Sequence, residues 1–241
     1  SYPLAAHIEV HDMSDEQAPQ QPEEQKIFPD DYLHYDKEDA LHTILSMPQH
    51  IKEGFELGAD VKPQRPFKRV VVAGMGGSGI AGLLLKTLMD ADESCTTQIK
   101  VTNAYEAPKD VDADTLMIAI SYSGNTEETL SAYKTGIRRG AQGLLLSSGG
   151  KAEELAKLNK HPHIKIPRGL QPRMAIGFLF FPLLRVMHNA GILKIDHKEV
   201  ADLAENLKRQ DLRPQAMDLS LKCQDAIPLI WADSSFYPVA Y

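Results

Sequence analysis

Cysteine is scarce in this chain. Cys95 and Cys223 stand far apart, with no third thiol to complete a metal-type spacing. Two lone thiols predict a reducing, cytoplasmic setting. No apolar run reaches the roughly 18 residues that a membrane-spanning helix needs. Basic residues are outnumbered, with 26 Lys and Arg against 33 Asp and Glu and a formal net charge of −7. There is no broad basic stripe, so neither nucleic acid nor an anionic membrane is an expected partner. A local anion site remains compatible with that charge.

What is present is ordinary for a globular domain: 241 residues, 43% hydrophobic and 24% charged. That length suits one large domain or two small ones. Residues 1–34 read as a polar, proline-rich extension. Its His7 and His11 fall four apart, but no third metal ligand accompanies them. Asp36 is placed to cap a helix starting near Lys37 and bearing Ala40, Leu41, Ile44 and Leu45, and Pro48 breaks or kinks that helix.

From there the pattern is regular. Strands are predicted at 68–74, 98–102, 116–121, 142–147 and 163–166, and helices at 78–89, 126–138 and 151–158. Strands alternating with helices predict an α/β three-layer sandwich, a five-stranded parallel sheet with helices on both faces. Ligands of such sheets bind at the carboxyl ends of the strands.

Two of those ends are unusual. The first reads Val70-Val71-Val72-Ala73-Gly74-Met75-Gly76-Gly77-Ser78-Gly79. The second reads Ile118-Ala119-Ile120-Ser121-Tyr122-Ser123-Gly124-Asn125-Thr126-Glu127-Glu128-Thr129. Gly74-x-Gly76-x-x-Gly79 fits a dinucleotide fingerprint, but the next strand leads into Asn103 and Ala104 where an acidic ribose partner is needed. No Gly-Lys-Ser/Thr follows, so it is not a nucleotide P-loop. Close helix–strand packing alone would account for one such turn, but not readily for two. Open amides at a helix start, glycines that admit a close ligand, and hydroxyls from Ser78, Ser121, Ser123 and Thr126 suit a phosphate monoester. Three or four such bonds give about 5–10 kcal/mol gross, less several kcal/mol for lost ligand freedom. Micromolar to millimolar affinity follows.

Elsewhere the residues invite blander readings. Ser147-Ser148-Gly149-Gly150 reads as a helix cap, and His161-Pro162-His163 as a surface loop. Arg173 stands at a helix start, where a cation is disfavoured unless an anion lies nearby. The apolar run from Met174 to Val186 belongs in the core or at a subunit interface, with a kink at Pro182. Residues 196–209 read as a connecting amphipathic helix.

Gly-Met-Gly-Gly-Ser-Gly, Ser-Tyr-Ser-Gly-Asn-Thr-Glu-Glu-Thr and Ile166-Pro167-Arg168-Gly169-Leu170-Gln171-Pro172-Arg173 together resemble the bifunctional phosphoglucose/phosphomannose isomerases, a sugar isomerase (SIS) domain family. The resemblance implies a flavodoxin-like SIS domain at 35–195, a linker at 196–225 and the start of a second SIS domain at 226–241. It implies interconversion of glucose 6-phosphate or mannose 6-phosphate with fructose 6-phosphate through a cis-enediolate, without metal or nucleotide, in a homodimer. Gly76, Gly77, Ser78, Ser121, Ser123 and Thr126 would hold the phosphate, and Arg173 the enediolate oxygens. The base and the ring-opening histidine would lie beyond residue 241, leaving this chain inactive alone. The rival expectation is a non-catalytic SIS module that senses a sugar phosphate.

Overall fold

The computed structural model describes residues 7–9, 35–233 and 236–240. Five strands form one parallel sheet: β2 (Arg69–Gly74), β3 (Gln98–Thr102), β4 (Thr115–Ile120), β5 (Gln142–Ser147) and β6 (His163–Lys165), in the spatial order β3-β2-β4-β5-β6. The apolar, β-branched runs that made these strands legible are buried on both faces. Val70, Val72, Leu116, Ile118 and Ile120 point to one side, and Val71, Ala73, Met117 and Ala119 to the other.

Each side has its own helices. On the first, α2 (Met47–Leu57), α3 (Gly76–Ala91) and α6 (Ile176–Asn189) bury Phe55, Leu85, Leu179 and Leu183 against the sheet. On the second, α4 (Glu127–Arg138) and α5 (Gly150–Asn159) bury Leu130, Ala132, Tyr133, Ala152 and Ala156. The three-layer α/β sandwich is therefore the observed fold. The helix α1 (Ala40–Leu45) begins later than the expected start near Lys37 and has Asp39 at its N-cap position, but Asp36 still serves its first turn, accepting from the amides of Ala40 (2.7 Å) and Leu41 (2.9 Å). Pro48 stands in the first turn of α2, after a break at Ser46.

Three expectations need revision or completion. The apolar run 174–186 takes the core, the first of the two places open to it: Phe178 to Leu184 are all buried. The helix α6 runs through Pro182 without ending. The predicted connector is α7 (His197–Arg209), capped by Asp196 through the amide of Lys198 at 2.8 Å, and it buries Val200 and Ala204 against this same core. After α8 (Arg213–Lys222), the strand β7 (Leu229–Trp231) does not join the main sheet. It pairs antiparallel with β1 (His7–Glu9), Ile8 opposite Ile230, and its own side chains are exposed. His7 thus lies in a strand, whereas His11 falls outside the described residues.

The strand order positions the site. The chain leaves β2 toward β3 at one edge, then crosses back to β4 on the other side of β2. Between β2 and β4 the direction of winding reverses, and ligands bind there in open parallel sheets.

Candidate functional site

Both unusual turns flank this reversal. The partners Gly74 and Ile120 end β2 and β4 side by side, so the two turns leave the same edge of the sheet. They are bonded to each other: the Tyr122 amide donates to Ser78 Oγ at 3.2 Å. Gly76 takes φ +51°, a conformation that favours glycine, just where β2 hands over to α3. Gly77 touches a third segment, because a Cβ there would stand 2.9 Å from both Cα and N of Arg173.

Three of the four predicted hydroxyls keep a proton to give. Ser78 Oγ accepts from Tyr122, and Ser123 Oγ accepts from the Asn125 amide at 3.2 Å, so both can still donate outward. Ser121 Oγ and Thr126 Oγ1 share one hydrogen bond at 2.8 Å, which consumes only one of their two protons. Ser121 Oγ also accepts from the Thr126 amide at 3.3 Å. Ser78 and Ser121 are buried, Thr126 half-buried and Ser123 exposed. Among the described residues no side chain caps α3 or α4, which leaves the first amides of each open to a ligand. A cavity of 210 Å³ opens beside the first turn, lined by Gly74, Gly76, Gly79, Thr102, Asn103 and Tyr237.

Arg173 lies in the short 3₁₀ turn Pro172–Met174 ahead of α6, exposed, with its backbone against Gly77. Its Nε donates to Gln171 Oε1 at 3.1 Å, and Gln171 Nε2 donates in turn to Glu38. The sequence-predicted residues Gly76, Gly77, Ser78, Ser121, Ser123, Thr126 and Arg173 are therefore carried by three segments that touch one another.

Sequence reasoning missed the parts that hold these segments together. The 147–150 turn is more than a cap. Ser147 Oγ donates to Gly149 O at 2.9 Å, accepts from the Gly149 amide at 3.2 Å and meets His163 Nε2 at 2.8 Å. Gly149 O lies so close to Gly124 that a Cβ on Gly124 would come within 1.7 Å of it. The Ala152 amide donates to Gly124 O and the Ser148 amide to Tyr122 O, each at 2.9 Å. Arg168 Nε donates to Ser148 O at 3.0 Å. The 161–163 segment is not a surface loop, because both imidazoles are half-buried and bonded. His161 Nδ1 meets the Tyr133 hydroxyl at 2.5 Å at the far end of the sheet, and burial pushes that phenol's pKa up. Burial holds both His161 and His163 below the ordinary imidazole range.

Among the described residues, no group of three His, Cys, Asp or Glu side chains is gathered to hold a metal ion. Among the same residues, no helix is long and apolar enough to cross a membrane.

A flavodoxin-like sheet whose reversal point is lined by glycines and hydroxyls has the form of an anion-binding α/β domain. Residues 65–167 match the SIS domain. The bifunctional phosphoglucose/phosphomannose isomerase of Caldicellulosiruptor bescii is 35% identical over 206 residues, which is 80% of this chain and 60% of that protein. Its namesake from Thermoplasma acidophilum is 37% identical over 179 residues, 73% of this chain and 53% of that one. The tagatose-6-phosphate ketose/aldose isomerase of Escherichia coli shares the fold, with a TM-score of 0.56 at 14% identity over 75% of this chain and 53% of its own. The chain carries a SIS domain and is a homologue of the bifunctional phosphoglucose/phosphomannose isomerases. It spans 60% and 53% of the length of those two relatives.

Proposed function

We propose that this chain is the phosphate-binding part of an aldose–ketose isomerase that interconverts glucose 6-phosphate or mannose 6-phosphate with fructose 6-phosphate. One observation carries the reading: the two uncapped turns meet at the reversal point of the sheet, joined by the Tyr122–Ser78 bond of 3.2 Å. The homology to sugar-phosphate isomerases supports the choice of substrate.

The roles follow from the chemistry. Amides at Gly76 and Gly77 and hydroxyls from Ser78, Ser121, Ser123 and Thr126 hold the phosphoryl oxygens. Anchoring the phosphate fixes the sugar carbons, so that proton transfer becomes intramolecular. A base removes the proton from C2, the C1 carbonyl oxygen takes up negative charge to give the cis-enediolate, the hydroxyl proton passes from O2 to O1, and the C2 carbonyl forms as the abstracted proton returns to C1. Arg173 stabilises the enediolate oxygens as charge develops on them. The base and the histidine that opens the ring belong, in this reading, to a second SIS unit beginning near residue 226. Residues 35–195 form the first unit and 196–225 link the two. The enzyme is proposed to be cytoplasmic and to work as a homodimer, without metal or nucleotide.

The test is calorimetric titration with glucose 6-phosphate, comparing the native chain with the Ser121→Ala, Ser123→Ala double variant and using glucose as the unphosphorylated control. Two hydrogen bonds to a charged group contribute about 1.5–3 kcal/mol each, so a loss of more than tenfold in affinity is expected. Equal affinity for the double variant would remove the anchor from these turns.

A further inference from the structure

Tyr122 stands between Ser121 and Ser123, and its side chain takes no part in the hydroxyl turn that surrounds it. It is buried, 8% exposed, at the tip of the central strand β4. Its phenol reaches a segment far along the chain. The hydroxyl donates to Pro167 O at 3.0 Å and accepts from the Leu170 amide at 2.7 Å. These two groups are the first carbonyl and last amide of a four-residue turn, the pair that ordinarily bond to each other. Gly169, at the third position, has the φ of +96° that such a turn favours in glycine. The phenol is inserted where the direct bond would be, and uses both its donor and its acceptor there.

The backbone of the same residue reaches two more segments. Its amide donates to Ser78 Oγ and its carbonyl accepts from the Ser148 amide. The side chain and backbone of one residue thus join the turn after β2, the turn after β5 and the loop that leads into Arg173. That loop is held at its other end by the contact between Gly77 and the Arg173 backbone.

We infer that Tyr122 is a positioning residue: its hydroxyl closes the 167–170 turn and thereby sets where Arg173 stands relative to the phosphate-binding turns. This rests on the functional reading above for the identity of the ligand, but the closure of the turn does not depend on it. The phenol touches no reacting atom in this scheme and acts through Arg173.

The experiment compares the native chain with Tyr122→Phe, which keeps the ring and deletes only the bridging hydroxyl. Amide hydrogen exchange is measured at Leu170, with Leu145 in β5 as the core reference. Losing one bond of this kind is expected to speed exchange at Leu170 about tenfold, while Leu145 stays as in the native chain. Glucose 6-phosphate affinity is expected to fall several-fold in Tyr122→Phe, and Tyr122→4-aminophenylalanine, which restores a donor toward Pro167, recovers most of it. Added to Arg173→Ala, the Tyr122→Phe change is expected to cost no further affinity, because the two act as one unit. Unchanged exchange at Leu170 overturns the inference whatever the ligand does. So does a full additional loss of affinity on the Arg173→Ala background. If the native chain fails to bind glucose 6-phosphate, the functional reading falls and exchange at Leu170 alone decides on Tyr122: faster supports the closure, unchanged overturns it.

Discussion

Ser78 Oγ accepts the backbone amide of Tyr122 at 3.2 Å, so the turn after β2 and the turn after β4 form one surface. The serine is 6% exposed and begins inside α3, whereas Tyr122 lies just past the end of β4. Each turn alone is a strand-to-helix connection. Bonded together at the reversal of the sheet, they bring two helix starts and four hydroxyl residues to the same edge of the sheet.

Replacing Ser78 by alanine is expected to weaken both the fold and the site. The Tyr122 amide is left without its partner in a buried place, at a cost of about 1–3 kcal/mol. For a chain of this size that lowers Tm by roughly 3–10 °C. Affinity for glucose 6-phosphate is expected to fall more than tenfold. Differential scanning calorimetry with and without ligand separates the two effects, and an unchanged Tm would mean that the bond between the turns holds nothing.

Gly124 predicts a larger disturbance of stability. Its φ is +74°, and a Cβ would meet Gly149 O at 1.7 Å, with the backbone carbon behind it at 2.7 Å. Neither atom is the end of a side chain that can turn away. Gly124→Ala is expected to destabilise by about 3 kcal/mol or more, from left-handed strain and collision together. Urea unfolding monitored by the single tryptophan, or by circular dichroism, measures it.

The sheet and its two turns could be read in the sequence because their cause is local. Strands buried on both faces leave unbroken runs such as Val70-Val71-Val72 and Leu116-Met117-Ile118, and glycines or hydroxyls mark where each run stops. The Asp36 cap was legible for the same reason. What stayed hidden depends on contacts distant along the chain. Nothing near Tyr122 indicates that its phenol will bridge residues 45 and 48 positions away. Nor does His161-Pro162-His163 reveal that one imidazole will meet Tyr133 and the other Ser147, since both bonds exist only once β5 and β6 are paired. The pairing of β7 with β1 joins opposite ends of the chain and has no local signature.

Those imidazoles make the fold sensitive to mild acid. Burial holds His50, His161 and His163 below the ordinary value of 6.5, so the folded chain keeps them neutral where the unfolded chain takes up protons. Neighbouring charges modify this: Glu153 opposes the shift at His163, and Arg65 reinforces it at His161. Because the unfolded state binds more protons, stability is fully present above pH 6.5 and is lost as pH falls through the folded values. Thermal melts between pH 7.5 and 5 are expected to show this decline. The His161→Gln, His163→Gln double variant is expected to start lower, having lost the bonds to Tyr133 and Ser147, but to fall less steeply. A slope as steep as that of the native chain would place the acid sensitivity elsewhere.

Gly77 offers a way to disturb Arg173. A Cβ there would lie 2.9 Å from Arg173 Cα and N and 3.0 Å from Pro172 C, all backbone atoms that no rotamer change can move. The residue has no left-handed φ to lose, unlike its neighbour Gly76 at +51°. Alanine is also the better helix former by up to about 1 kcal/mol. Gly77→Ala is nevertheless expected to lower Tm by several degrees, because moving backbone atoms costs about 1–3 kcal/mol and propensity offsets only part of it. The 3₁₀ turn carrying Arg173 and the start of α3 have to move apart to admit the Cβ. Glucose 6-phosphate affinity is expected to fall about tenfold or more, since a charge-assisted contact is sensitive to both distance and angle. Gly76→Ala is expected to lose about 1–2 kcal/mol of stability from the strained φ but, with no collision to move Arg173, to keep the Arg173 contact in place. If Gly77→Ala binds the sugar phosphate as tightly as the native chain, the guanidinium of Arg173 does not touch the ligand, and the proposed cation must be sought on another segment.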